Sequence, residues 1–207
     1  MNIALFGATG TVGRHAVTQA LAAGHQVTVL VRDPAKLTVT HERLRVVTGD
    51  VLDPAAVERT VIGQDAVIVA LGAGRKGVVR AEGTRHVIEA MNRTGVKRLI
   101  CQSSLGVGDS AGNLNFVWKY IMFGMLLRPA FADHVRQEEY VLASDLDWTI
   151  VRPSAFTDGP ATGDYRRGFP GTESGLKLKI SRADVAGFLV EQLTDTVYVR
   201  RTPGISH

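Results

Sequence analysis

The stretch NIALFGATGTVGRHAVTQALAAG, residues 2–24, carries the reading of the whole chain. NIALF (2–6) has the length and apolarity of a buried strand, and TVGRHAVTQALAAG has helical period and ends at Gly24. Between them Gly7, Gly10 and Gly13 fall in a G-x-x-G-x-x-G spacing. Glycine permits the tight turn, lets backbone approach a pyrophosphate and allows close helix–strand packing, while the first N–H groups of the helix face the anion. Turns collect glycine for conformational reasons alone, so the triplet by itself says little. Placed after an N-terminal strand and before a helix, it marks a dinucleotide-binding loop.

Outward from this unit the alternation continues. QVTVLV (26–31), LRVVTGD (44–50), DAVIVAL (65–71), VKRLICQ (96–102) and DWTIVRP (147–153) read as further strands. DPAAVERTVIG (53–63) reads as a helix with Asp53 as N-cap and Pro54 at its first position, and EGTRHVIEAMNRTG (82–95) as another. Strands this apolar expect burial on both faces, hence helices above and below a mainly parallel sheet. The expected fold is α/β, a doubly wound Rossmann sheet in three layers. No repeat or Pro/Gly/Ser linker splits residues 1–207, so one domain is expected, with the turn-rich segment 153–180 on the substrate side.

The composition narrows the partners. With 45% hydrophobic and 21% charged residues the chain is an ordinary globular one, and a net charge of +4 suits anionic ligands. No dense basic block with interleaved aromatics points to nucleic acid. The single cysteine, Cys101, excludes an intrachain disulfide and a Cys-based metal site. No secretory signal opens the chain, which makes the cytoplasm the default. FVWKYIMFGMLL (116–127) is too short to span a bilayer and carries Lys119, so no membrane partner is expected. A core-packing helix is the favoured reading of this segment. The alternative places Trp118, Phe123 and Met125 on an apolar wall for a planar substrate or a partner subunit.

The second strand ends in VLVRDPAKL (29–37). A carboxylate at such a strand end holds a ribose 2′-hydroxyl, whereas a cation accommodates a 2′-phosphate. Arg32 sits at that end and Lys36 four residues on, so NADP(H) is the expected cofactor. Two such contacts in a half-exposed site imply on the order of 3 kcal/mol, roughly a hundredfold in affinity. Asp33 competes as a carboxylate one position late, but before Pro34 it also suits a helix cap. Asp50 and Val51 end the third strand where an adenine would lie. VALGAG (69–74) places Leu71 and Gly72 on the expected pyrophosphate and ribose side.

Alcohol dehydrogenation on this fold needs a proton donor, usually a Tyr with a Lys four residues later. None of Tyr120, Tyr140, Tyr165 and Tyr198 has that lysine. The absence favours hydride acceptors whose developing charge is delocalised, such as flavins, quinones or conjugated tetrapyrroles, with water delivering the proton.

IALFGATGTVG, VTVLVRDPAKL, VTGDVLD, GQDAVIVALG, EGTRHVIEAM, CQSS and ISRADVAGFL together cover nearly the full length. In these segments the chain resembles atypical short-chain dehydrogenases of the flavin reductase/biliverdin-IXβ reductase type, with NmrA-like relatives. The resemblance implies a phosphate loop of Gly7, Thr9, Gly10, Thr11, Val12 and Gly13, and a 2′-phosphate clamp of Arg32 and Lys36. It also implies that Ser103 lies beside the nicotinamide and that His134 borders the substrate pocket, although a solvated helix residue is the favoured reading of His134. Ala155 stands where the family's tetrapyrrole reductases carry a histidine, which weakens biliverdin as the physiological substrate. The leading expectation is an NADPH-dependent reductase of planar acceptors. A non-catalytic NADP(H)-binding redox sensor is the alternative, and an epimerase is disfavoured by the missing Tyr/Lys pair.

Overall fold

The computed structural model describes residues 1–72 and 77–207. Its main sheet contains β1 (Asn2–Phe6), β2 (Gln26–Val31), β3 (Leu44–Thr48), β4 (Ala66–Val69), β5 (Arg98–Gln102) and β6 (Asp147–Pro153). The short β8 (Arg166–Arg167) and β10 (Gly204–Ser206) extend it to the order β3-β2-β1-β4-β5-β6-β10-β8. β7 (Ala155–Thr157) and β9 (Lys179–Ser181) pair separately. All pairings in the main sheet are parallel except β10 with β8.

The helices are α1 (Gly13–Ala22), α2 (Pro54–Val61), α3 (Val79–Thr94), α4 (Arg128–Leu142) and α5 (Arg182–Glu191). Successive side chains of a strand point to opposite faces, and both faces are filled. Ile3, Leu5, Val29 and Ile68 pack with Ala16, Val17 and Ala20 of α1 and Val185, Phe188 and Leu189 of α5. Ala4, Phe6, Val67 and Leu99 pack with Ala56 and Val57 of α2, Val87 and Met91 of α3, and Val141 of α4. The three-layer Rossmann arrangement follows. Asp53 caps α2 by accepting from the Ala55 N–H at 3.0 Å, and α3 stops at Gly95 in the left-handed conformation.

Two expectations are corrected. Burial on both faces fails for β3, an edge strand in which Arg45 and Val46 are exposed because nothing lies beyond it. The segment 116–127 is not a core helix: Val117–Leu126 winds as a π-helix with no buried residue. The turn-rich segment 153–180 is anchored to α5. Asp184 of α5 accepts from the N–H groups of Thr162 and Gly163, both at 2.8 Å, and from the Ser181 hydroxyl at 2.7 Å. Burial works against the Asp184 carboxylate, but these donors outweigh it and hold its pKa below the ordinary range.

The connection order reverses at β1, which lies between β2 and β4. In open α/β sheets ligands bind at such a switch point, outside the carboxyl ends of the strands.

Candidate active site

At the carboxyl end of β1 the loop turns through Gly7, whose φ of +93° is a conformation side chains rarely adopt. A Cβ on Gly7 would overlap the Ala70 carbonyl, and one on Gly13 would overlap the Gly7 carbonyl. Both glycines are therefore demanded by backbone packed against backbone. The Gly10 N–H donates to the Gly7 carbonyl at 2.9 Å, and the first helical bond runs from the Arg14 N–H to the Gly10 carbonyl at 3.1 Å. The N–H groups of Thr11, Val12 and Gly13 come ahead of that bond, the usual anion-facing donors of a helix start.

This loop forms one end of a 610 Å³ cavity. Gly10, Thr11, Val12, Leu71, Gly72, Ser103 and His134 all line it, together with Ala155. Gly7 and Gly13 support the loop from behind, and Thr9 is exposed beside it. Ala73 and Gly74 of VALGAG lie outside the described residues.

Ser103 follows β5 and is anchored by its N–H donating to the Val151 carbonyl at 2.7 Å. Its hydroxyl oxygen is buried and, among the described residues, has no hydrogen-bond partner. The same holds for Gln102 Oε1 and Ser154 Oγ, on two further residues of the cavity lining. A buried polar atom left unpaired costs about 1–3 kcal/mol, which makes the Ser103, Gln102 and Ser154 side chains, all on residues of the cavity lining, costly points of the site. The rest of the lining is largely apolar: Trp118, Phe123 and Phe131 contribute aromatic faces, with Phe123 and Phe131 stacked at 4.7 Å. Trp118 and Phe123 thus belong to an apolar wall, whereas Met125 is exposed and points elsewhere.

His134 is not a solvated helix residue. Burial, reinforced by the charge of Arg80, pushes its pKa down to about 4. Its Nδ1 lies 3.3 Å from Gln137 Oε1, and Gln137 Nε2 donates to the Thr84 hydroxyl at 2.9 Å. That orientation makes Nδ1 the protonated nitrogen and leaves Nε2 an acceptor in the neutral ring. Linkage gives a sign: the folded pKa lies below the ordinary value of 6.5, so unfolded chains take up the proton first as pH falls. Stability should drop between about pH 6.5 and pH 4, by on the order of 2–3 kcal/mol from this group. His134→Gln should flatten the decline in urea midpoints across that window, and an unchanged slope would refute the burial argument.

Arg80 lines the cavity at the start of α3. Asp133 of α4 accepts from the backbone N–H groups of Arg80 and Ala81, each at 3.1 Å, and pairs with the Arg80 guanidinium at 3.5 Å. Arg182 lines the other side, over the Phe156 ring at 5.6 Å. Sequence reasoning missed both arginines, along with Gln102 and Ser154. The last two stood at carboxyl ends of strands, a signal that could have found them. The arginines gave none, because their direction depends on how α3 and α5 pack.

Arg32 and Lys36 lie outside the cavity at the end of β2. Arg32 is 4.0 Å from Asp50 with its side chain 80% exposed, and Lys36 is 3.8 Å from Asp33 with its side chain 73% exposed. Asp33 accepts from the Ala35 N–H at 3.1 Å, the cap reading of that residue. Asp50 accepts from the Leu52 N–H at 2.9 Å, and the Val51 carbonyl lies 3.1 Å from His86 Nδ1. Val51 and Leu71 both press on Gly83, where a Cβ would approach each within 3.0 Å. Cys101 is buried, and burial pushes its thiol pKa up, which leaves it a small apolar residue of the sheet. Among the described residues no cluster of His, Cys, Asp and Glu could hold a metal ion, and no helix is long and apolar enough to cross a membrane.

A doubly wound sheet with a glycine loop at its switch point and a largely apolar cavity beside it defines an NAD(P)-binding Rossmann protein, and the pattern fits the atypical short-chain dehydrogenase/reductase and NmrA-like families. Residues 7–196 match the family described as NAD(P)H-binding, and the chain belongs to that family. It is 31% identical over 186 residues to a 3-diazoavenalumate denitrifying reductase of a Streptomyces species, an alignment covering 81% of this chain and 60% of the relative. An Arabidopsis thaliana relative is likewise covered over 60% of its length, so the chain spans about three-fifths of these two proteins. Among solved structures it resembles ChuY, an anaerobillin reductase from Escherichia coli O157:H7, with TM-score 0.80 and 26% identity. That match covers 99% of this chain and 96% of the other. A Veillonella parvula short-chain dehydrogenase/reductase in complex with NADP shares the fold, with TM-score 0.84 and 20% identity over 100% and 94% of the chains.

Proposed function

We propose that the protein is an NADPH-dependent reductase of a planar conjugated acceptor, a flavin, tetrapyrrole or quinone. The observation that carries this reading is a largely apolar cavity, walled by Trp118, Phe123 and Phe131 and with Gln102, Ser103 and Ser154 in its lining, that opens beside the glycine loop. Bound NADPH supplies the hydride. The chain's own part is positional. The N–H groups of Thr11, Val12 and Gly13 hold the diphosphate, with Leu71 and Gly72 beside it and Gly7, Thr9 and Gly10 shaping the turn. Arg32 and Lys36 face the 2′-phosphate, and Asp50 and Val51 border the adenine. Ser103 orients the carboxamide or an acceptor carbonyl. Neutral His134 can accept through Nε2 from an N–H of a flavin or tetrapyrrole acceptor, and it is not the proton source. The 153–180 segment supplies the substrate side through Pro153, Ser154, Ala155, Phe156 and Leu178. A reductase-named relative supports reduction, and an anaerobillin reductase among the neighbours supports a conjugated acceptor.

NADPH oxidation measured against a panel of flavins, quinones and biliverdin isomers tests the reading. Turnover with at least one acceptor is expected. Tight NADPH binding without turnover on any of them would favour the sensor.

The exposure of Arg32 and Lys36, and their existing pairing with Asp50 and Asp33, lowers the cofactor preference derived from sequence. Exposed charge pairs contribute about 0.2–1 kcal/mol each, so NADPH should bind roughly tenfold, not a hundredfold, more tightly than NADH. Arg32→Ala should remove most of that difference by weakening NADPH alone. Dissociation constants for both cofactors at fixed ionic strength decide it, and an equal loss for the two would make Arg32 a mere surface charge.

Ser103→Ala removes one hydrogen bond worth about 0.5–1.5 kcal/mol net, a few-fold in rate. NADPH affinity should stay nearly constant. Complete loss of turnover in a folded variant would make Ser103 an acid instead of an orienting group.

A further inference from the structure

The π-helical segment Val117–Leu126 has two apolar faces and only one of them is used. Its i→i+5 winding, seen in the Leu127 N–H bond to the Met122 carbonyl at 2.7 Å, spaces each face at four or five residues. Trp118, Phe123 and Leu127 turn to the cavity. Phe116, Tyr120 and Met125, with Val117, Ile121 and Leu126 alongside, turn to solvent, Phe116 at 70% and Met125 at 75% exposure. A helix apolar all round is normally covered, and a contiguous exposed patch of this kind marks an interaction surface.

Charge identifies the occupant. From Asn113 to Ala132 the only charged side chains are Lys119 and Arg128, both exposed, and Lys119 Nζ rests over the Tyr120 ring at 5.6 Å. A second copy seated on this face by two-fold symmetry would set these cations against themselves with no carboxylate from the segment to answer them. An anionic lipid surface meets both requirements, taking up the apolar side chains while its headgroups pair with the cations.

We propose that this face seats the protein on an anionic lipid surface, with Phe116, Tyr120 and Met125 entering the headgroup boundary and Lys119 and Arg128 pairing with lipid phosphates. The sequence expectation of no membrane partner rested on span length, which surface seating does not require. The proposal is independent of which acceptor is reduced.

Co-sedimentation with phosphatidylcholine vesicles, with and without phosphatidylglycerol, tests it. Binding should appear with phosphatidylglycerol, fade as salt rises, and be at least about tenfold weaker on pure phosphatidylcholine. Lys119→Gln and Arg128→Gln should each weaken it about fivefold. A Phe116→Asp/Met125→Asp double variant should lose at least about tenfold, with its circular dichroism and NADPH affinity unchanged. Failure to bind the anionic vesicles, or equal binding to both kinds, overturns the proposal. So does a lipid-free dimer that the double variant dissociates, which would make the patch a contact between two copies.

Discussion

Gly13→Val should raise the dissociation constant for NADPH by at least about a hundredfold. The added Cβ would overlap the Gly7 carbonyl, and that neighbour is backbone held in turn against Ala70, so no flexible side chain is available to give way. The start of α1 must shift, and the N–H donors of Thr11 to Gly13 shift with it. Two hydrogen bonds to a charged group at about 1.5–3 kcal/mol each account for the hundredfold. A control lies in the same cavity: a Cβ on Gly72 meets nothing within 4 Å, so Gly72→Ala should leave the fold unstrained. Calorimetric titration of both variants, with thermal melts alongside, separates loop damage from global unfolding. Near-native NADPH affinity in Gly13→Val would remove the loop from the binding site.

The second large effect belongs to a buried ion pair. Arg152, near the end of β6, donates from Nε to Glu138 Oε1 at 3.0 Å and from Nη2 to Glu138 Oε2 at 2.7 Å, and its third nitrogen reaches Asp109. The Arg152 and Glu138 side chains are only 4% and 3% exposed, so removing Arg152 leaves Glu138 charged and dry, whereas removing Glu138 leaves Arg152 with Asp109 alone. Arg152→Leu should cost about 3–5 kcal/mol, which for a chain of this size lowers the melting temperature by roughly 10 °C. A double Arg152→Leu/Glu138→Leu variant should recover most of it, since the desolvation penalty disappears with the pair. Denaturant midpoints of the two single variants and the double decide the matter. A double variant no better than the worse single would mean the pair is net stabilising in itself.

The fold was legible where one local rule operated without competition. β1, β2, β4, β5 and β6 are apolar runs that only a doubly covered sheet can bury, and the glycine loop can only be a turn between strand and helix. β3 misled because its apolar residues resemble those of a central strand, and edge position is a property of the assembled sheet. The 116–127 segment misled for a related reason. Its apolar residues are too many for a surface helix of ordinary winding, so a core location seemed required, while π-winding presents them differently.

The candidate site divides in the same way. Residues at the carboxyl ends of strands, such as Leu71 and Ser103, could be placed because strand ends converge by topology. Arg80, Arg182 and the acceptor face of His134 could not. Their roles depend on the seating of α3, α4 and α5 and, for His134, on which way the Gln137 amide points. Position alone does not set a magnitude: Arg32 stands at the expected strand end, yet its 80% side-chain exposure would shrink any preference for a 2′-phosphate.

The far end of the main sheet has a bearing on solution behaviour at high concentration. β8 is two residues long, and both are arginines, paired outward with Glu173 and Glu191 at 2.8 Å. An incoming strand would have to strip water and counter-charges from two guanidinium groups to gain very few backbone hydrogen bonds. The β8 rim of the sheet is therefore a poor template for fibrillar growth, and the brevity of β8 is itself the safeguard.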